Sequence, residues 1–141
     1  MNMQFAIAYS WPMPNARALI AVVDDEAAVR KAIARLISFA GYEVVTYGDG
    51  AQFMQSLALR RPQCVLLDLH MPVMGGAEVQ ARLAACGDPL PVIVITGQDS
   101  DQTRDRVLAC GTSAFLRKPV DEQVLLDAIA VALSKGVGDP C

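Results

Sequence analysis

The chain is poor in the residues from which many catalytic and metal sites are built. It has one histidine and one tryptophan in 141 residues, and aromatic residues make up only 6%. The four cysteines are Cys64, Cys86, Cys110 and Cys141. No two stand at metal-ligand spacing, and a lone histidine cannot complete a zinc site. Three of them fall in or beside apolar patterns and read as small buried hydrophobes, with Cys141 exposed at the end. A reduced, cytoplasmic setting is the default for such usage. Charge is also sparse, with 19% charged residues and a net charge of -3. Arg60-Arg61 and Arg104/Arg106 are scattered basic pairs, too few for the phosphate-tracking stripe of a nucleic-acid binder. No apolar run approaches the ~20 residues that a membrane span needs. Residues 1–17 are mildly apolar, have no basic residue before Arg17, and are interrupted by Trp11-Pro12-Met13-Pro14. That makes a poor signal peptide. A disordered leader, a mis-called start and a segment packed on the domain all fit.

What the chain does have is apolar content, 53% of it, enough for one domain with a sizeable core. From Ala18 onward, strand and helix patterns alternate five times. Ala18 to Val23, Cys64 to Leu67 and Val92 to Ile95 are continuous apolar runs, the mark of strands buried on both faces. Tyr42 to Tyr47 and Ser113 to Leu116 complete the strands. Val29, Ile33, Leu36 and Ile37 share one helical face, and Gly41 stops that helix. Further helices are expected over Asp49 to Leu59, Ala77 to Ala85, Asp99 or Ser100 to Cys110, and Asp121 to Leu133. In the last, Val124, Leu125, Ala128, Ile129 and Ala132 are apolar. The alternation predicts an α/β domain over 18–134, a parallel sheet covered on both faces, with 135–141 as a flexible tail.

In open sheets of this class, ligands bind beyond the carboxyl ends of the strands. Those ends carry Asp24-Asp25, Asp68, Thr96 and Lys118. Singly, each has a bland reading: a helix cap, a loop acid, a strand end, a surface charge. Together at one edge they make a site. Three carboxylates side by side repel and call for a cation between them. Mg²⁺ suits an all-oxygen set, with Mn²⁺ able to substitute, and no EF-hand-like loop speaks for calcium. Such an assembly suits phosphoryl transfer onto a carboxylate. Asp68 is the candidate nucleophile. Asp24 and Asp25 bind the metal, Asp25 more directly. Lys118 and the Thr96 hydroxyl meet the phosphoryl oxygens.

Four motifs, VVDDE at Val22 to Glu26, LLDLHMPVMGG at Leu66 to Gly76, VITG at Val94 to Gly97 and FLRKP at Phe115 to Pro119, resemble the response-regulator receiver family, closest to the FixJ/NarL kind. The resemblance covers Ala18 to about Leu133. It implies a flavodoxin-like (βα)5 fold with strand order 2-1-3-4-5. It implies a phosphohistidine donor, either a sensor histidine kinase or a histidine phosphotransfer protein. By matching position, Asp68 is the phosphoacceptor and the backbone carbonyl of His70 is a further metal ligand. Thr96 and Phe115 are the switch pair, though Phe115 is equally readable as plain core. The resemblance also implies a cis Lys118-Pro119 peptide, and that His70 and Gln98 flank the water path and tune the phosphoryl lifetime. The fourth helix, fifth strand and last helix form the face that changes, a candidate homodimer contact.

A phosphohydrolase with an aspartyl-phosphate intermediate is the enzymatic rival, but it usually carries a second acid where His70 stands. A flavin-binding module is disfavoured because Asp24-Asp25-Glu26 would repel a phosphate. No helix-turn-helix pattern follows Leu133, so DNA binding by this chain is not expected; read as a signalling receiver, it is expected to carry out its own phosphoryl transfer but to turn over no outside substrate. A stand-alone receiver and a fragment of a FixJ-type transcription factor remain alternatives.

Overall fold

Short runs of β-branched and leucine residues, bounded by turn signals, are too brief for helices and form strands instead. The computed structural model describes residues 17–71, 73–97, 104–105, 108–109 and 111–136. Five strands emerge: β1 (Leu19–Val23), β2 (Glu43–Tyr47), β3 (Cys64–Asp68), β4 (Val92–Thr96) and β5 (Ala114–Arg117). They form one parallel sheet in the order β2-β1-β3-β4-β5. Every residue of β1, β3 and β4 is buried. The edge strands β2 and β5 are only partly so, as their neighbour on one side is solvent.

Side chains alternate across a strand, so the sheet divides the core in two. Ala21, Val23, Val65, Leu67, Val92 and Val94 face one side. There they meet Phe53 of α2 (Gly50–Ser56) and Val79 and Leu83 of α3 (Gly76–Ala85). Ile20, Val22, Leu66, Ile93 and Ile95 face the other. There they meet Ile33 and Ile37 of α1 (Ala27–Phe39) and Leu125, Ile129 and Ala132 of α4 (Glu122–Gly136). Each of the valine, leucine, isoleucine and phenylalanine side chains among them, fully buried, contributes roughly 1.5–3 kcal/mol. A partly buried hydrogen bond between Gln80 of α3 and Thr112, just before β5, adds a polar tie.

The ends of the helices follow local chemistry. Gly41 (φ +103°) turns the chain out of α1 in the left-handed conformation that glycine adopts freely. Asp49 caps α2, its Oδ1 accepting the Gln52 N–H at 2.8 Å. That helix ends at Ser56, not Leu59: Leu59 is 91% exposed and has no apolar face to hold it in register. α4 runs on to Gly136, beyond the expected Leu133. Val124 does not share its buried face and is half exposed. Cys86 corrects the sequence reading too. It caps the end of α3 and is exposed, whereas Cys64 is fully buried and its thiol is pushed up to about 12 by burial. The helix expected over Asp99 to Cys110 falls mostly outside the described residues, although Arg104–Asp105 and Leu108–Ala109 are helical. Residues 1–16 and 137–141 lie outside them as well, as do Cys110 and Gln98.

Candidate functional site

Parallel strands present all their carboxyl ends at one edge, so residues far apart in sequence meet there. Asp24 follows β1, Asp68 closes β3, Thr96 closes β4, and Lys118 follows β5. Asp24 is fully buried and Asp68 is 3% exposed. Asp25 is exposed, yet carboxylate oxygens of Asp24, Asp25 and Asp68 all lie within 4.8 Å of one another.

The Lys118 ammonium stands among these acids. Its Nζ is 3.0 Å from Asp24 Oδ2, 3.3 Å from Asp68 Oδ2 and 3.4 Å from Glu26 Oε1. Its backbone N–H donates to the Thr96 carbonyl at 2.8 Å, and the Lys118–Pro119 peptide is cis. The remaining Asp68 oxygen, Oδ1, accepts the His70 N–H at 3.2 Å. Asp24 Oδ1 accepts the Glu26 N–H at 2.9 Å. Asp24 Oδ2 is buried and accepts no hydrogen bond, its Lys118 contact being an ion pair only.

The charge balance is poor. Burial pushes the Asp68 carboxyl above its ordinary range, and the neighbouring Asp24 charge adds to this, against the opposing pull of Lys118 and the His70 N–H. Burial alone would lower the Lys118 pKa, but the Asp24 and Asp68 carboxylates outweigh it and raise it. A single ammonium therefore leaves negative charge uncompensated. A buried carboxylate oxygen without a hydrogen bond, inside an all-oxygen cluster, fits a hard divalent cation of the Mg²⁺ kind.

The structure thus brings Asp24, Asp25, Asp68 and Lys118 together, with Thr96, fully buried, on the adjoining strand. His70 is exposed just beyond Asp68. Phe115 is partly buried against the core on the α2/α3 side. Two participants were not singled out from sequence. Glu26 reaches Lys118, and Arg30 Nη1 donates to the Asp24 carbonyl at 2.6 Å. Their i, i+4 spacing at the start of α1 was the available signal.

Among the described residues of the loop after Asp68, one is strained. Val73 has φ +70° and is 88% exposed. A β-branched residue in the left-handed region is costly, and asparagine tolerates it far better. Val73→Asn is therefore expected to stabilise the protein by about 1 kcal/mol. A urea unfolding midpoint that is unchanged or lower would contradict this.

A family model for the response regulator receiver domain matches residues 20–130. The chain belongs to that family. Among curated relatives, response regulator MprA from Mycobacterium sp. (strain KMS) is 39% identical over 116 residues, covering 82% of this chain and 50% of the relative. MprA from Mycobacterium leprae is 38% identical, covering 82% and 51%. The chain spans about half the length of the curated relatives it matches. Among solved structures, full-length FixJ from B. japonicum superposes with TM-score 0.79 at 29% identity, covering 86% of this chain and 60% of FixJ. Vibrio cholerae chemotaxis protein CheY4 gives 0.76 at 28%, covering 84% and 100%. The receiver has the flavodoxin-like fold of these neighbours and is the receiver domain of a two-component response regulator. Among its described residues, no helix is long and apolar enough to cross a membrane.

Proposed function

We propose that this receiver accepts a phosphoryl group onto Asp68 from a phosphohistidine donor, a sensor histidine kinase or a histidine phosphotransfer protein, in a Mg²⁺-dependent reaction in the cytoplasm. The observation that carries this reading is the convergence of three carboxylates and one ammonium at the carboxyl edge of the sheet. An Asp68 oxygen forms the new P–O bond as the P–N bond of the donor breaks, and the electron pair leaves with the imidazole. Asp24, Asp25 and Asp68, with the backbone carbonyl of His70, would hold the cation, and the same oxygen set would accept Mn²⁺. Bound there, the cation offsets charge on the phosphoryl oxygens. Lys118, just after β5 on the same edge, does the same. Thr96 donates its hydroxyl to a phosphoryl oxygen, and Phe115 follows inward.

Arg117 and Asp121, both exposed, lie on the face that the fifth strand and last helix share, and this face would carry the signal, including to a second copy of the chain. Relatives about twice as long support a further reading, that the domain regulates an attached output module such as that of a FixJ-type transcription factor. His70 is exposed beside the acceptor, so His70→Ala, and likewise Gln98→Ala, is expected to change the phosphoryl lifetime severalfold. Decay curves that superpose on wild type would remove that role.

Intact-mass measurement after incubation with acetyl phosphate tests the central reading. One phosphoryl group should appear with Mg²⁺ and none with a chelator. No adduct in Mg²⁺ overturns the proposal. Steady hydrolysis of a chromogenic phosphate ester would favour the phosphohydrolase instead.

A further inference from the structure

Three acidic residues in succession, Asp24-Asp25-Glu26, make a turn whose charges push it apart. Besides the Lys118 ion pairs, hydrogen bonds hold it. The Asp24 N–H donates to the Tyr47 carbonyl of β2 at 3.2 Å, and the Glu26 N–H donates to Asp24 Oδ1 at 2.9 Å. The Asp24 carbonyl is held by Arg30, whose Nη1 donates to it at 2.6 Å. Helical side chains lean toward the N-terminus of their helix, so an arginine one turn into α1 can reach back over the turn that opens it. Arg30 sits at that place, its own N–H donating to the Glu26 carbonyl at 2.9 Å. Its guanidinium also lies against the turn after β2: a Cβ on Gly48 would be 3.7 Å from Nη1.

We propose that Arg30 is a positioning residue for the divalent-cation site, acting through the Asp24–Asp25 peptide. The inference rests on the Mg²⁺ reading above. A bond to the Asp24 carbonyl fixes the plane of the peptide that leads into Asp25. It thereby fixes the direction in which the Asp25 side chain leaves the backbone. Asp24 is locked by burial, whereas Asp25 is exposed and depends on its backbone for aim. Groups that orient metal ligands without touching the metal typically contribute 10–100-fold to affinity or activity. The charge of Arg30 acts in the opposite sense, since a cation near the acids repels a second one. The two effects predict opposite results when Arg30 is removed, which makes the assignment decidable.

The experiment is calorimetric titration of the full chain with MgCl₂, for wild type, Arg30→Ala and Arg30→Lys, with folding checked by circular dichroism. Arg30→Ala should bind Mg²⁺ about tenfold more weakly. Arg30→Lys, which keeps the charge but has a single ammonium in place of the fork, should recover part of that loss. Affinity in Arg30→Ala equal to or tighter than wild type overturns the proposal. If the alanine variant does not fold, lysine decides: weaker binding supports the assignment and wild-type affinity overturns it. Absence of Mg²⁺ binding by wild type would instead strike the preceding reading, so the two failures are distinguishable.

Discussion

Asp68→Asn should carry no phosphoryl group after incubation with acetyl phosphate and Mg²⁺, and in the absence of metal it should be more stable than wild type. The first effect is the loss of the carboxylate oxygen proposed to accept phosphorus. The second follows from the direction of the Asp68 shift. Its carboxyl is raised above its ordinary range by burial and by Asp24. Ionising it therefore costs more in the folded chain than in the unfolded chain. Its contribution is most favourable in acid, declines as pH rises through the ordinary carboxylate range, and is fully unfavourable above the raised folded value. Asparagine removes that penalty at neutral pH. Lys118 loses one of its carboxylates at the same time, which offsets part of the gain. The net expectation is on the order of 1 kcal/mol in the presence of a chelator. Saturating Mg²⁺ should reverse the order, because a ligand held at 100 times its Kd stabilises the protein that binds it by about 2.7 kcal/mol. Urea unfolding of both proteins, with and without Mg²⁺, provides the check. Wild type more stable than Asp68→Asn in chelator would refute the electrostatic account, and an adduct on the variant would refute the acceptor assignment.

Gly76→Ala should be among the most damaging single-methyl additions in the chain. A Cβ at position 76 would lie 2.6 Å from the Asp68 carbonyl oxygen and 3.0 Å from Leu69 Cα. Both are backbone atoms and cannot rotate aside. The Gly76 N–H also donates to the Leu69 carbonyl at 3.1 Å, so the start of α3 is clamped to the end of β3. Forcing the two apart should cost about 3 kcal/mol, the upper end for overpacking. It should also disturb the acceptor, since the atom displaced belongs to Asp68. Gly97→Ala is the matching control. Among the described residues its Cβ would meet only Lys118 Cδ, at 3.8 Å, an ordinary contact. Equal unfolding midpoints for the two variants would show that the close approach carries no energy.

Why the sequence yielded the site so readily is visible in the strands. β1, β3 and β4 are unbroken apolar runs, and each ends abruptly at a polar residue. In a parallel sheet those ends fall on one edge, so Asp24, Asp68, Thr96 and Lys118 were locatable from pattern alone. Arg30 was not, because periodicity places a residue on a helix face without saying that its side chain folds back over the cap. Gly76 was legible only as a loop residue, since the close approach to Asp68 is a contact across 8 positions with no local signature. Cys86 looked buried because it adjoins an apolar helix, yet it caps α3 and faces out. The end of α2 was misjudged by Leu59, an apolar residue with no surface to cover.

The two halves of the core differ in texture as well as place. On the α1/α4 side the filling is Ile20, Ile33, Ile37, Ile93, Ile95 and Ile129, branched side chains with few rotamers. On the α2/α3 side Met74 is buried, and Met54, Met71 and Phe115 pack against the same cluster. Thioether chains are unbranched and fill altered spaces at small cost. The α2/α3 side thus holds adaptable thioethers beside the β-branched Val23, Val65, Val79, Val92 and Val94, and Met74 lies on the segment that joins the Asp68 end of β3 to α3.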